Sequence, residues 1–298
     1  MKQVHLPEKV YFKEGCTPVA LRELAEVYHR KRVLLVASPA ALRAGTVMRL
    51  SRFFEKRDIQ TAEVIVPDGF PSYEDLQDPL RKMQEFLPDV VLGVGSDGVL
   101  SAAKGLRFLY ENPETPLKQA GVVSGLHAGE KALLVLMGTT LEGGLQNSTL
   151  GIFSDGAHLF AISSLTFLPL LAITDGEFVC DLSADQIRQG IEIILARCLA
   201  VYLEEEHAAY TDSFLVEAIG TVLQWKEAAL AGDPAGKTHL LQAASLGGAA
   251  YGNAGHGYVP RPVLSALIEK AGQQEKRMEW LYACVGTAAA QRLRTLLE

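Results

Sequence analysis

Hydrophobic patterning divides the chain into two textures near residue 178. Before that point, short apolar runs alternate with stretches whose apolar residues recur at helical spacing. The run Val33-Leu-Leu-Val-Ala after Arg32 predicts a buried strand, and Ala40–Lys56 a helix. Thr61-Ala-Glu-Val-Ile-Val predicts the next strand, and Ser72–Phe86 the next helix. Asp89-Val-Val-Leu-Gly-Val-Gly predicts a third strand running into a glycine turn, with a helix at Val99–Asn112. Ala132-Leu-Leu-Val-Leu-Met predicts a fourth strand. Short Val- and Leu-rich runs alternating with helices imply βαβ units and a parallel sheet covered on both faces. Within 150–163, Ser-Asp-Gly between two apolar runs predicts an antiparallel hairpin, and Leu170-Leu-Ala-Ile-Thr-Asp one more strand.

After residue 180 the strand signal disappears. Ser183–Glu206, Tyr210–Ala231, Lys237–Asn253, Pro262–Ala271 and Gln274–Leu297 read as helices, with Ser183 a cap and Gly232–Gly236 a loop. The expectation is an α/β nucleotide-binding-type domain over 1–178 and an all-helical domain over 179–298, with a ligand cleft where the two meet.

Composition narrows the function. Lys and Arg number 28 against 35 Asp and Glu, a net charge of −7. That excludes a broad nucleic-acid surface, which needs clustered cations, but not a small phosphate site built from backbone N–H groups. No apolar run is long enough to span a membrane, and the charged first residues do not form a signal peptide. The four cysteines form no CxxC pair and read as reduced thiols of a cytoplasmic protein.

Two segments carry candidate chemistry. Gly93-Val-Gly95-Ser96-Asp97-Gly98 joins a strand to a helix. Glycines let the backbone approach a diphosphate, and a helix N-terminus supplies N–H groups and positive potential. The turn matches neither the Walker loop nor GxGxxG; an ordinary strand-to-helix turn is the alternative. The other segment is Gly138-Thr139-Thr140 followed by Gly143-Gly144, where hydroxyls at a strand end could line a nucleotide or simply form a polar turn.

In order and separation, these segments resemble the iron-containing alcohol dehydrogenase family, which has the dehydroquinate-synthase-like fold. The likeness extends over most of residues 8–253. Val10–Gly15 resembles the family's opening strand, and Val33–Gly45 its first nucleotide-domain strand and helix. Pro88–Ser96 is similar to its D-x-I-I-A-x-G-G-G-S run, and Ala102-Ala103-Lys104 to its D-x-A-K ending. Thr139-Thr140 through Asp155 is similar to its T-T-x-G-T-G-S-E stretch, and Pro169–Asp175 to its P-x-x-A-I-V-D strand. The resemblance implies NAD(P)-linked oxidation of alcohols or reduction of aldehydes. It also implies a divalent metal, commonly iron, held by one Asp and three His, which would polarise the alcohol oxygen. The cofactor-contacting positions carried over are Ser38, Gly93, Gly95, Ser96, Thr139, Thr140 and His158. Of these, Ser38 stands where an acidic residue often bonds the ribose, and its small side chain favours NADP over NAD. His158 stands for a family lysine.

The departures concern charge and ligands. Asp97 and Glu142 add anions near the expected phosphates, while Leu145 and Gln146 replace family Ser and Glu. The family's D-x-x-x-H ligand pair corresponds to Glu192 and Ala196, and a third ligand position to Pro260, with His256 four residues early. Alanine and proline cannot ligate, and no two of the seven histidines stand close enough in sequence for an HxxxH clamp. No catalytic metal is therefore expected, since a mononuclear site takes about three protein ligands. The family's later C-terminal helices also find no counterpart in the pattern.

Two readings follow: an NAD(P)-linked oxidoreductase with its metal site largely lost, or a non-catalytic relative acting as a nucleotide sensor or assembly partner. Glycerol-dehydrogenase-like or dehydroquinate-synthase-like chemistry meets the same ligand deficit. The resemblance further implies small alcohols or aldehydes as substrates, and pairing with a second copy or another protein. The Leu281, Val285 and Leu293 side of the last helix would pack within the shortened domain or against such a partner.

Overall fold

The computed structural model describes residues 3–203 and 208–255. Two compact units are present. One comprises His5–Thr139 and Leu145–Asp175; the other comprises Thr140–Gly144 and the helical residues from Gly176 on, with residues 3–4.

The first unit begins β1 (Lys9–Phe12), α1 (Thr17–Glu26), β2 (Arg32–Ala37), α2 (Pro39–Arg43), α3 (Thr46–Glu55) and β3 (Gln60–Ile65). It continues α4 (Gln77–Phe86), β4 (Val90–Gly95), α5 (Asp97–Glu111) and β5 (Leu133–Gly138), then β6 (Leu150–Ser154), β7 (Leu159–Ser163) and β8 (Leu171–Thr174). Six strands form one parallel sheet in the order β1-β8-β5-β4-β2-β3, and β6 pairs with β7 as an antiparallel hairpin. This is the parallel, helix-covered sheet that the alternating apolar runs predict. Side chains alternate across the strands. Leu34, Val36, Val91, Leu134 and Leu136 join Met83 of α4, Leu100, Leu106 and Phe108 of α5, and Phe153 of the hairpin in one buried cluster.

Two elements depart from the pattern-based reading. α1 was not expected; its apolar stripe is short, with Ala20, Leu21 and Leu24 buried. Its start is fixed from a distant segment. Asp175, just past β8, accepts hydrogen bonds from the Gly15 N–H (2.7 Å), the Thr17 N–H (2.9 Å) and the Thr17 hydroxyl (2.6 Å). A buried carboxylate thus meets the positive end of the helix. The single helix expected over Ala40–Lys56 is instead α2 and α3, separated by Gly45 at φ 74°. Glycine takes that left-handed conformation without steric cost, and the break turns the chain.

The second unit carries α6 (Ala184–Tyr202), α7 (Ala209–Leu230) and α8 (Pro234–Ala254). Ser183 and Gln186 form a capping box at the start of α6. The expected Gly232–Gly236 loop is shorter. Asp233 caps α8 by accepting from the Gly236 N–H at 2.8 Å, and Pro234 opens the helix. The helices expected at Pro262–Ala271 and Gln274–Leu297 lie outside the described residues. Among the described residues no helix is long and apolar enough to cross a membrane.

The Thr140–Gly144 segment is seated on these helices by close backbone approach. A Cβ on Gly248 would lie 2.1 Å from the Gly144 carbonyl oxygen, and one on Gly190 would lie 2.3 Å from the Leu141 Cβ. Arg197 of α6 adds hydrogen bonds to the carbonyls of Glu142 (3.0 Å) and Gly143 (2.8 Å). Gly248→Ala, which raises intrinsic helix propensity, should therefore destabilise by about 2 kcal/mol, because the methyl meets backbone that cannot yield cheaply. Thermal or denaturant unfolding checks this, and a stability gain contradicts it.

Candidate functional site

The order of strands locates a crevice. β2 connects outward to β3, while β4, its other neighbour, connects the opposite way to β5. Ligands of open α/β sheets bind outside the carboxyl ends of strands where connections part in this way. The register Ala37↔Val94 sets Ser38 beside Gly95 and Ser96. On the other side Gly95 aligns with Gly138, and the Thr139 N–H donates to the Gly95 carbonyl at 3.1 Å. Ser38, Gly95, Ser96 and Thr139 thus form one row along the carboxyl edge, with Gly93 two residues back inside β4.

Each glycine has a local reason. A Cβ at Gly93 would stand 2.7 Å from the Ala103 Cβ, so its absence lets α5 pack directly on β4. Gly95 has φ 154°, and a Cβ there would meet Val99 at 2.9 Å. Ser96 is extended and precedes α5, but its hydroxyl does not cap the helix. The first-turn N–H groups of α5, uncapped by Ser96, concentrate positive potential at the crevice. These are the donors a diphosphate requires.

Asp97 lies in the first turn of that helix. It is 3% exposed and accepts from the Leu145 N–H at 3.1 Å. Further along α5, the fully buried Lys104 donates to the carbonyls of Leu145 (2.6 Å), Ser148 (2.7 Å) and Leu150 (2.6 Å). Burial pushes its pKa down to about 7, against the opposing pull of Asp97. The Ser101 hydroxyl accepts from the Ile152 N–H at 3.0 Å. Three side chains of α5 therefore bind 145–152 and fix the helix that opens at the crevice.

Ser38 of that row also has a structural role, while Thr140 and His158 fall elsewhere. Ser38, buried at the end of β2, caps α2 by accepting from the Ala41 N–H at 3.3 Å. Thr140 belongs to the helical unit, and its Oγ1 is buried without a hydrogen-bond partner. His158 stands at the turn of the β6–β7 hairpin with its side chain 84% exposed, 3.9 Å from Asp155. That turn borders α5 at Leu109, roughly 18 Å along the helix from Asp97 at 1.5 Å per residue. Gln146, which stands where the resemblance places Glu, follows the Thr139-Thr140 turn. Its fully buried amide lies against Gly138 with neither polar atom bonded.

Two of the metal positions lie among the described residues. Glu192 is half-buried on α6, and Ala196, one turn on, is buried and offers no donor atom. Among the described residues no three His, Cys, Asp or Glu side chains converge. His256 and Pro260 lie outside the described residues.

Comparison with known proteins bears on the whole arrangement. The family model for iron-containing alcohol dehydrogenase matches residues 7–176. An alcohol dehydrogenase of Thermococcus barophilus is 22% identical over 228 residues, covering 75% of this chain and 60% of its own. This chain thus spans three fifths of that relative. Among solved structures, alcohol dehydrogenase from Oenococcus oeni superposes with a TM-score of 0.86 at 17% identity, covering 99% of this chain and 85% of its own. Sulfoacetaldehyde reductase from Bifidobacterium kashiwanohense, solved in complex with NAD+, gives 0.84 at 14% identity with the same coverage. These likenesses show the dehydroquinate-synthase-like fold.

Lys104→Met leaves three buried carbonyls without a donor and should cost about 3 kcal/mol. The folded pKa of Lys104 lies below the ordinary 10.5, so above about 7 the unfolded chain binds more protons. This lysine therefore makes stability rise between about pH 7 and pH 10.5, a slope the variant loses. Denaturant titrations at both pH values check this; a variant with the parent's stability contradicts it.

Proposed function

We propose that this chain, which belongs to the iron-containing alcohol dehydrogenase family, binds a nicotinamide dinucleotide at the carboxyl edge of its parallel sheet as an NAD(P)-linked alcohol or aldehyde oxidoreductase without the family's full metal cage. The observation that carries the reading is the Gly95–Ser96 turn opening α5 at the point where strand connections part. Gly93 lets α5 lie close to β4, and Gly95 supplies the backbone bend. Ser96 and the first-turn N–H groups hold the diphosphate, and Thr139 borders it. The buried Asp97 carboxylate is already engaged by the Leu145 N–H, which offsets part of the repulsion its charge would exert. Bound there, the nicotinamide supplies hydride-transfer chemistry.

Ser38 sets the preference for the second phosphate. Its hydroxyl is committed to capping α2, and no carboxylate stands in its place to bond ribose hydroxyls or repel a 2′-phosphate. NADPH is accordingly the better ligand.

A specific observation favours a second reading, that of a nucleotide-binding relative without turnover. Ala196 replaces an imidazole one turn from Glu192, and a carboxylate alone does not make the three-ligand site that would polarise an alcohol. Fluorescence titration should give saturable binding with NADPH tighter than NADH, and Ser38→Asp should reverse the order by about tenfold. Absence of binding by either nucleotide overturns both readings. Metal analysis and oxidation of NADPH by short aldehydes then separate them: turnover supports the oxidoreductase, and binding without turnover supports the sensor.

A further inference from the structure

A second cavity lies within the α/β unit, away from the crevice. It measures about 580 Å³, within the range of small-molecule sites. Its walls are the end of α5 at Leu109, the segment 113–118, residues 72–74 and the tip of the β6–β7 hairpin. Leu109, Leu117, Phe153 and Phe160 give it an apolar interior, and Tyr73 adds an exposed aromatic ring at its edge.

The walls are held in place before any ligand arrives. The Ser154 N–H donates to the Pro71 carbonyl at 2.9 Å, tying the hairpin to the 72–74 wall. Asp155 Oδ1 accepts from the N–H groups of Ala157 (3.1 Å) and His158 (2.8 Å), which closes the hairpin turn. The Thr115 N–H donates to the Asn112 carbonyl at 3.1 Å and steadies the segment after α5. Such preorganisation spares a ligand the cost of ordering its site.

The charges around the cavity are unbalanced. Glu74, Glu114 and Asp155 line it against a single cation, Lys118. The Lys118 ammonium sits 5.1 Å from the centre of the Phe160 ring and helps hold the Asp155 carboxyl below its usual range, after the larger effect of the His158 and Ala157 N–H groups. Glu74 and Glu114 have no ion-pair partner among the described residues. An apolar lining with uncompensated carboxylates attracts an organic cation, whose apolar body would fit the interior while its charge is drawn to the carboxylates that line the cavity.

We propose that this cavity is a binding site for a small amine or quaternary ammonium carried on an aromatic or compact aliphatic body. Neither anions nor neutral isosteres satisfy the two free carboxylates. Calorimetric titration of the full chain with benzyltrimethylammonium, benzamide and benzoate tests it. The cation should bind at least about fivefold more tightly than either competitor. Glu74→Gln combined with Glu114→Gln, both at exposed positions, should remove that preference with the fold intact by circular dichroism. Phe160→Leu, which keeps an apolar side chain but removes the ring, should weaken all three probes. Equal affinity for the three probes, no saturation by about 10 mM, or a preference that survives the double variant would overturn the proposal.

Discussion

The arrangement at the crevice depends on one buried ammonium. Lys104 reaches from the interior of α5 to three carbonyls of the segment after the Thr139-Thr140 turn. A charge removed from water is tolerable only when its donors are satisfied, and here backbone oxygens satisfy them. Asp97 and Ser101 tie the same helix to the same segment from either side. With α5 clamped in this way and Gly93 allowing contact with β4, the direction in which the helix opens is fixed. An anion-binding helix end works only if it is aimed, and these contacts aim it.

The helical unit follows a different logic. Its seat for Thr140–Gly144 is made of glycines at close backbone contact and of Arg197 bonded to carbonyls, with no metal-ligating group in either. Arg197 is buried and lies over the Tyr251 ring at 5.9 Å, so its charge is committed to structure. Glu142 contributes its carbonyl to this seat. Among the described residues of that unit these groups serve packing, while the α/β unit carries a helix end compatible with a phosphate.

Much of the fold was legible in the sequence because buried parallel strands are short Val- and Leu-rich runs, and β2, β4 and β5 stand where those runs fall. α1 was not, because three buried apolar residues on a ten-residue helix make a weak stripe, and its N-terminal anchor, Asp175, comes from the far end of the unit. The row of Ser38, Gly95, Ser96 and Thr139 required a resemblance to assemble, since the residues lie on three strands that only strand order brings together. The environment of Asp97 was illegible: nothing along the chain indicates that its carboxylate is buried and bonded to the Leu145 N–H. Lys104 was noted as part of a motif, yet nothing in its neighbours along the chain indicates that it would be buried among carbonyls. The cavity of Phe153 and Phe160 is built from four separate segments, and no local pattern encodes it.

The central claim, that the Gly95–Ser96 turn and the opening of α5 receive a dinucleotide, is tested most directly by amide hydrogen exchange with and without saturating NADPH. The account predicts that slowed exchange concentrates in residues 93–100, with a smaller effect at 37–41 beside Ser38. Unchanged exchange at 93–100, or protection confined to other segments while nucleotide is bound, would contradict it.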